Sequence, residues 1–367
     1  MKICYLADAS SIHTQRWVNF FSKKGHEVYL ITESPISANN FHNVRIYSFE
    51  EESSLRRYYK RLFSIPKLIR TINPDILHSH WVIGWGFYGA LYGYHPHILT
   101  AWGSDIKTFP QKSLYLKWKA MFALRAADCI TCDANHMVSS IEKLGAHSDK
   151  IKIIHFGTDI EYFSPHKKDA EIKQHLKVNI DSPLVISVRN LNPIYDVETF
   201  IKSIPYVLKE VPQAIFVIAG EGTQRQYLVE LSESLGISTS IRFIGSLQSH
   251  DMARYLASCD VYVSTAISDG GIAASTAEAM ASGLPVIITD VGDNRQWVKD
   301  GEQGFIIPVS DYKLLGEKII ELLKNPHLRK RFGEINREII KEKNNYYVEM
   351  GKMEDIYFKL KTPSLKR

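Results

Sequence analysis

The sequence lacks most of the short motifs that name a function outright. It has four cysteines in 367 residues, too few for a disulfide scaffold, so a reducing compartment is expected. Cys129 and Cys132 form a single CxxC, and the flanking AADCITCDAN reads as a buried strand rather than half a zinc site. No GxGxxG follows the first apolar run, where ADASSIHTQ stands, which argues against a nicotinamide-dependent enzyme. Walker A and HExxH are missing, and no DxD triplet occurs, which disfavours a nucleotide-sugar site clamped by Mg²⁺. A membrane span needs about 20 apolar residues. The best stretch, residues 76–104, lacks Lys, Arg, Asp and Glu but holds His78, His80, His95, Pro96 and His97. The opening MKICYLADAS turns polar too soon for a signal peptide. No repeat or low-complexity tract interrupts the chain.

What is present is an ordinary globular composition, with 45% hydrophobic and 23% charged residues. At about 100–200 residues per domain, the length predicts two domains. The net charge of +5 is uneven: residues 1–157 carry +7 and the remainder −2. Short β-rich runs alternate with helical segments in the first half, with strands expected at 2–7, 27–32, 76–79, 98–102, 129–132 and 151–154. Between 158 and 182 the pattern breaks into charged, Gly- and Pro-containing sequence that reads as a linker. A second alternating series follows, with strands at 184–188, 214–219, 241–244, 261–264 and 285–288. From 311 onward the chain reads as charged helix. The expected fold is α/β: two doubly wound Rossmann-like domains, 1–157 and 183–340, facing a central cleft.

Ligands of open parallel sheets bind beyond the carboxyl ends of the strands. There the first domain supplies Asp8, Ser10, Ser11 and His13 after one strand, and Gly103, Ser104 and Asp105 after another. The second supplies Arg189 and Asn190, then Gly220, Glu221 and Gly222. The sharpest anomaly is Glu278, the one charge in GGIAASTAEAMASGLPVIIT. A carboxylate on so apolar a helix needs a polar partner or solvent. Upstream, Asp269, Gly270 and Gly271 form a turn into that helix, whose N-terminal N–H groups suit a phosphate. Arg189, the only charge between Asp181 and Asp196, suits a diphosphate, or an interdomain ion pair.

The segment VYVSTAISDGGIAASTAEAMASGLPVIITDVGDNRQWVKDGEQGFIIP resembles the signature of family-4 retaining glycosyltransferases (group 1 glycosyltransferases) of the GT-B fold. VRNLNPIYDVETFIKSI, FVIAGEGTQ, DASSIHTQRW, LTAWGSD and IIHFGTDIEYFSP extend the likeness over nearly the whole chain. The resemblance implies transfer of a hexosyl or related unit from a UDP- or GDP-linked sugar, as substrate, without cofactor or metal. The acceptor would be a glycan or lipid-linked molecule. It makes Arg189 and Asp105 catalytic candidates. The donor-binding candidates are Glu278, Asp269, Gly270, Gly271, Ile272, Tyr195, Gly220, Glu221 and Ser11, and the acceptor-side candidates are His13, His80 and Trp102. It also implies that a helix within 341–367 packs back on the first domain. Three departures stand out. Gly270 occupies the first glutamate position of the family's E-x7-E pattern, Tyr195 the usual lysine, and Trp102 a frequent histidine. A non-catalytic sugar-nucleotide or glycan-binding protein, an epimerase and a phosphorylase of the same fold remain open alternatives.

Residues 56–70 hold Arg56, Arg57, Lys60, Arg61, Lys67 and Arg70 beside Tyr58, Tyr59 and Phe63, with no acid from Ser53 to Ile72. Lys112, Lys117, Trp118, Lys119 and Phe122 form a second cluster. These are either solvated helix faces or a patch that touches anionic lipid weakly. The expected location is the cytoplasm, including the inner face of the cell membrane. No nucleic-acid motif is present.

Overall fold

The computed structural model describes residues 1–35, 41–50, 54–269 and 271–361. The chain folds as two units, one built from Met1–Phe156 together with the stretch beginning at Val348, the other from Gly157–Tyr347.

The first unit is a seven-stranded sheet in the order β3-β2-β1-β4-β5-β6-β7. Its strands are β1 (Lys2–Leu6), β2 (Glu27–Thr32), β3 (Arg45–Ser48), β4 (Ile76–His80), β5 (His97–Thr100), β6 (Cys129–Cys132) and β7 (Ile151–Ile153), all paired in parallel. A parallel sheet is covered on both faces, so its strands are apolar without alternation; Ile3, Cys4, Tyr5 and Leu6 are all fully buried. β3 escapes a reading of the sequence because RIYS is a largely exposed edge strand. β5 ends at Thr100, two residues before the expected boundary, which leaves Trp102 in the loop. Cys129 and Cys132 stand three apart on β6 and so point to opposite faces of the sheet. Both thiols are free and buried, and burial pushes Cys129 to about 11 and Cys132 to about 12.

From Val348 onward the helix Tyr346–Lys361 completes this unit. Its Tyr357 is fully buried. The Tyr357 hydroxyl lies 2.8 Å from the Tyr5 hydroxyl and 2.6 Å from Nδ1 of His78. The chain of bonds continues from His78 Nε2 to Thr100 and on to Thr131, at 2.6 Å each. A buried polar network is tolerable because every member has a partner.

The second unit is a six-stranded parallel sheet in the order β10-β9-β8-β11-β12-β13. Its strands are β8 (Leu184–Val188), β9 (Ile215–Ala219), β10 (Ile241–Gly245), β11 (Val261–Ser264), β12 (Val286–Thr289) and β13 (Gly304–Ile307). Residues 158–182, expected as a linker, are built into this unit: Phe163, Ile172 and Leu176 are buried in its core. Their apolar side chains are spaced through charged sequence, and the charge hides them. Among the described residues no helix is long and apolar enough to cross a membrane.

Candidate active site

Each sheet reverses its strand order once, between β1 and β4 and between β8 and β11. Those switch points are where the loops diverge and open a crevice. The residues that follow β8 and β11 are Arg189 and the run ending in Asp269.

Arg189 leaves the end of β8 almost fully buried, at 9% exposure. Its Nη2 lies 2.5 Å from Oδ1 of Asp269. Its guanidinium carbon sits 4.5 Å from the centre of the Tyr195 ring. Burial works against the guanidinium charge, but Tyr262 and Asp269 outweigh it and hold the pKa above its ordinary value. Burial pushes the Asp269 carboxyl up, and the charge of Arg189 pulls it back only in part. The ion pair anticipated for Arg189 as an interdomain contact is therefore internal to the second unit. Tyr262, not singled out in the sequence, is buried on β11 with its hydroxyl 2.8 Å from that of Ser275. Its only signal is a hydroxyl-bearing ring in an otherwise apolar strand.

Glu278 is half-buried on the helix Ala274–Ala281, which follows β11. Gly271 and Ile272 precede that helix, half-buried, while Gly270 lies outside the described residues. Gly220 serves through its backbone, since a Cβ there would stand 2.1 Å from the carbonyl oxygen of Arg189. A side chain is excluded, and the loop after β9 closes on the loop after β8 through Leu191 N–H to Glu221 O at 3.0 Å. The Glu221 side chain points elsewhere and pairs with Arg225 at 3.3 Å.

In the first unit, a cavity of about 500 Å³ opens at the switch point between β1 and β4. Asp8, Ser11, His80 and Trp102 line it, joined by Trp81, Trp85, Tyr88, Arg61, Glu33 and Lys119. Ser11, expected among the donor residues, is thus grouped with His80 and Trp102. The rings of His13 and His80 flank Trp102 at 4.9 and 5.3 Å, so the three acceptor-side candidates come together. Burial lowers His13 to about 4 and His80 to about 3, so both imidazoles are neutral at pH 7. Nδ1 of His80 is 3.5 Å from the Thr14 hydroxyl, and its Nε2 has no partner among the described residues.

Asp105 does not reach into this space with a free carboxylate. It is fully buried, and its two oxygens accept the backbone N–H groups of Val82 and Trp102 at 2.8 and 3.0 Å. Burial raises its carboxyl to about 6 against the pull of those N–H donors. It ties together the two turns that carry Trp81 and Trp102, and the first of them is strained: Trp81 has φ of +70°. Asp105 is a positioning residue as placed here. Arg61 also departs from expectation. Instead of joining an exposed basic face, it turns inward and binds both carboxylate oxygens of Glu33, one at 2.7 Å. Among the described residues no group of three His, Cys, Asp or Glu side chains is arranged to hold a metal ion.

Comparison with known proteins places this geometry in a family. Residues 168–339 match the glycosyl transferases group 1, and residues 2–134 match the glycosyl transferase 4-like family. N-acetyl-alpha-D-glucosaminyl L-malate synthase of Bacillus anthracis is 23% identical over 351 residues, covering 92% of this chain and 90% of that protein. UDP-Gal:alpha-D-GlcNAc-diphosphoundecaprenol alpha-1,3-galactosyltransferase of Escherichia coli is 26% identical over 273 residues, covering 70% and 68%. Among solved structures, a glycosyltransferase of Rickettsia africae superposes with a TM-score of 0.81 at 16% identity, over 99% of both chains. Anabaena HepE in complex with UDP and glucose gives 0.78 at 17% identity, over 98% and 100%. The fold is GT-B. The chain belongs to the group 1 glycosyltransferases, and sugar transfer is its activity.

Proposed function

We propose that the chain transfers a hexosyl or related unit from a UDP- or GDP-linked donor with retention of anomeric configuration and without a metal. Its acceptor is a glycan or lipid-linked molecule. The observation that carries this reading is Arg189, a buried guanidinium at the strand-order reversal of the second unit. In this reading the donor diphosphate lies against Arg189 and the turn before helix Ala274–Ala281, and Glu278 accepts the ribose hydroxyls. As the bond between C1 and the phosphate oxygen breaks, charge grows on the diphosphate. A guanidinium already in place stabilises that charge more than it stabilises the intact donor. The acceptor hydroxyl attacks C1 from the face the diphosphate leaves, and its proton passes to the departing phosphate oxygen. The first unit supplies the acceptor site, its cavity walls being the indole and phenol rings described above.

Retention is supported by the family signature alone. Product anomer determination by proton NMR tests it, and an inverted product would overturn it. Activity that survives EDTA and is not raised by Mg²⁺ or Mn²⁺ would agree with charge stabilisation by Arg189. For Glu278→Gln the expected result is weaker binding of both UDP and UMP by calorimetry, since the amide loses the charged acceptor facing the ribose.

The Escherichia coli relative is named for a diphosphoundecaprenol-linked acceptor, and the first unit carries a basic, aromatic surface. Tyr58, Tyr59 and Phe63 are each close to 60% exposed. They lie on the consecutive helical segments Ser54–Tyr59 and Lys60–Ser64 beside Arg56 and Arg57. A weak contact with anionic membrane through 56–70 fits that composition. In this reading the enzyme works in the cytoplasm, at the inner face of the membrane when engaged, in polysaccharide or glycoconjugate synthesis.

A further inference from the structure

The cavity of the first unit contains two carboxylates, and both are engaged. Glu33 binds Arg61 through both of its oxygens. Asp8 accepts the N–H and hydroxyl of Ser10 at 2.8 and 2.7 Å. Arg61 is held by Glu33. Lys119 is different. Its ammonium sits over the rings of Phe87, Tyr88 and Tyr115 at 4.5, 5.5 and 5.7 Å, and among the described residues no carboxylate pairs with it. The chain around it offers none either, since residues 106–127 contain no Asp or Glu.

A half-buried ammonium held only by ring faces is under-compensated. Burial and the nearby charge of Arg61 both act to lower its pKa, whereas ring faces return only about 0.5–2 kcal/mol. Two residues that line the cavity each carry a polar atom closed off from solvent and without a partner among the described residues: Nε2 of His80, in a residue 2% exposed, and Nε1 of Trp102. Buried polar atoms without partners are rare in native proteins and call for a ligand or water. The remaining wall is flat and aromatic, from Trp81, Trp85 and Tyr88. Rings of this kind cover the apolar face of a hydroxylated ring.

We propose, resting on the acceptor reading above, that Lys119 selects an acceptor bearing an anionic group, phosphate or carboxylate, on a hydroxylated body seated against the cavity's tryptophans. The anion meets Lys119, the hydroxylated body lies on the faces of Trp81, Trp85 and Tyr88, and the ion pair of Arg61 with Glu33 fixes the wall beside them.

Trp81, Trp85 and Trp102 line the cavity, so quenching of intrinsic fluorescence reports occupancy. Titration of the full-length protein with glucose, glucose 6-phosphate and glucuronate separates the neutral, phosphate and carboxylate forms. At least one anionic sugar is expected to bind five-fold or more tightly than glucose, and the tighter of the two names the anion. Lys119→Met keeps the aliphatic stem and is expected to abolish the preference; Lys119→Arg is expected to retain it. Equal binding of all three sugars, no quenching by any, or a preference that survives Lys119→Met would overturn the proposal. Calorimetry with UDP and GDP on the wild type separates the two levels of argument. Absence of nucleotide binding would count against the donor reading, whereas nucleotide binding without an anion preference would count against Lys119 alone.

Discussion

The two units each bury a cation against aromatic rings, and they complete its electrostatics in opposite ways. Arg189 lies 4.5 Å from Tyr195 and has a carboxylate, Asp269, at 2.5 Å. Lys119 lies 4.5 Å from Phe87 and has none among the described residues. The first arrangement is locally neutral before any ligand arrives. A guanidinium fork can hold Asp269 with one nitrogen and still present others, so the pair is rigid and its planar face is preset. The second arrangement keeps a full charge on a flexible stem. An anion that reaches Arg189 competes with Asp269, whereas one that reaches Lys119 displaces no carboxylate paired with it among the described residues.

Removing Arg189 tests the comparison most severely. Arg189→Ala is expected to lower kcat about 100- to 1,000-fold, and kcat more than it raises KM, because the lost contact grows in the transition state. The same change leaves Asp269 buried beside no cation, which costs about 3–5 kcal/mol of stability. Thermal melts should show part of that loss restored in the Arg189→Ala, Asp269→Ala double variant. Turnover within a few-fold of wild type would remove Arg189 from the reaction.

Asp269→Asn converts the arginine into a cation resembling Lys119. UDP, measured by calorimetry, should bind about ten-fold more tightly, corresponding to about 1.4 kcal/mol. Weaker UDP binding would mean instead that Asp269 itself contacts the nucleotide. Asp105 is the counterpart within the first unit, a buried carboxylate with no cation paired to it among the described residues. Asp105→Asn loses one of the two side-chain oxygens that accept backbone N–H groups and should cost about 1–3 kcal/mol in chemical denaturation. Its raised pKa fixes the sign of a pH effect. The protonated form is favoured by folding, so its contribution is fully present below about pH 4 and is lost as pH rises through about 6. The stability difference between wild type and Asp105→Asn should change across that window; a flat difference would mean the carboxyl does not titrate there. The smallest effect concerns the surface. Arg56→Ser with Arg57→Ser should weaken sedimentation with phosphatidylglycerol vesicles by about 1 kcal/mol per charge at low salt. Equal binding to neutral vesicles would sink the electrostatic version.

Local chemistry is legible in the sequence, and partnership is not. Most strands announce themselves as short apolar runs, the exceptions being the exposed edge strand β3 and the last strand β13, and Arg189 announces itself as a single charge in a long uncharged stretch. Its partner Asp269 is 80 residues away, and no local pattern joins them. His80 and Trp102 stand out separately, yet only the neighbouring ends of β4 and β5 make them one wall. Arg61 and Lys119 read as members of solvated basic faces because helical sequence gives charge without saying which side is lined by a cavity. Asp105 misleads for a related reason: a carboxylate after a strand looks the same whether it meets a substrate or two backbone N–H groups.

The helix Tyr346–Lys361 sets an order of assembly. A ribosome releases the N-terminal segments first, so β1, β4 and β5 emerge long before Tyr357. Until that tyrosine arrives, the hydroxyl of Tyr5 and Nδ1 of His78 lack the partner that joins them in the finished protein. The second unit needs nothing synthesised after Tyr347 and can close earlier. The half of the enzyme made first is therefore the half that finishes last.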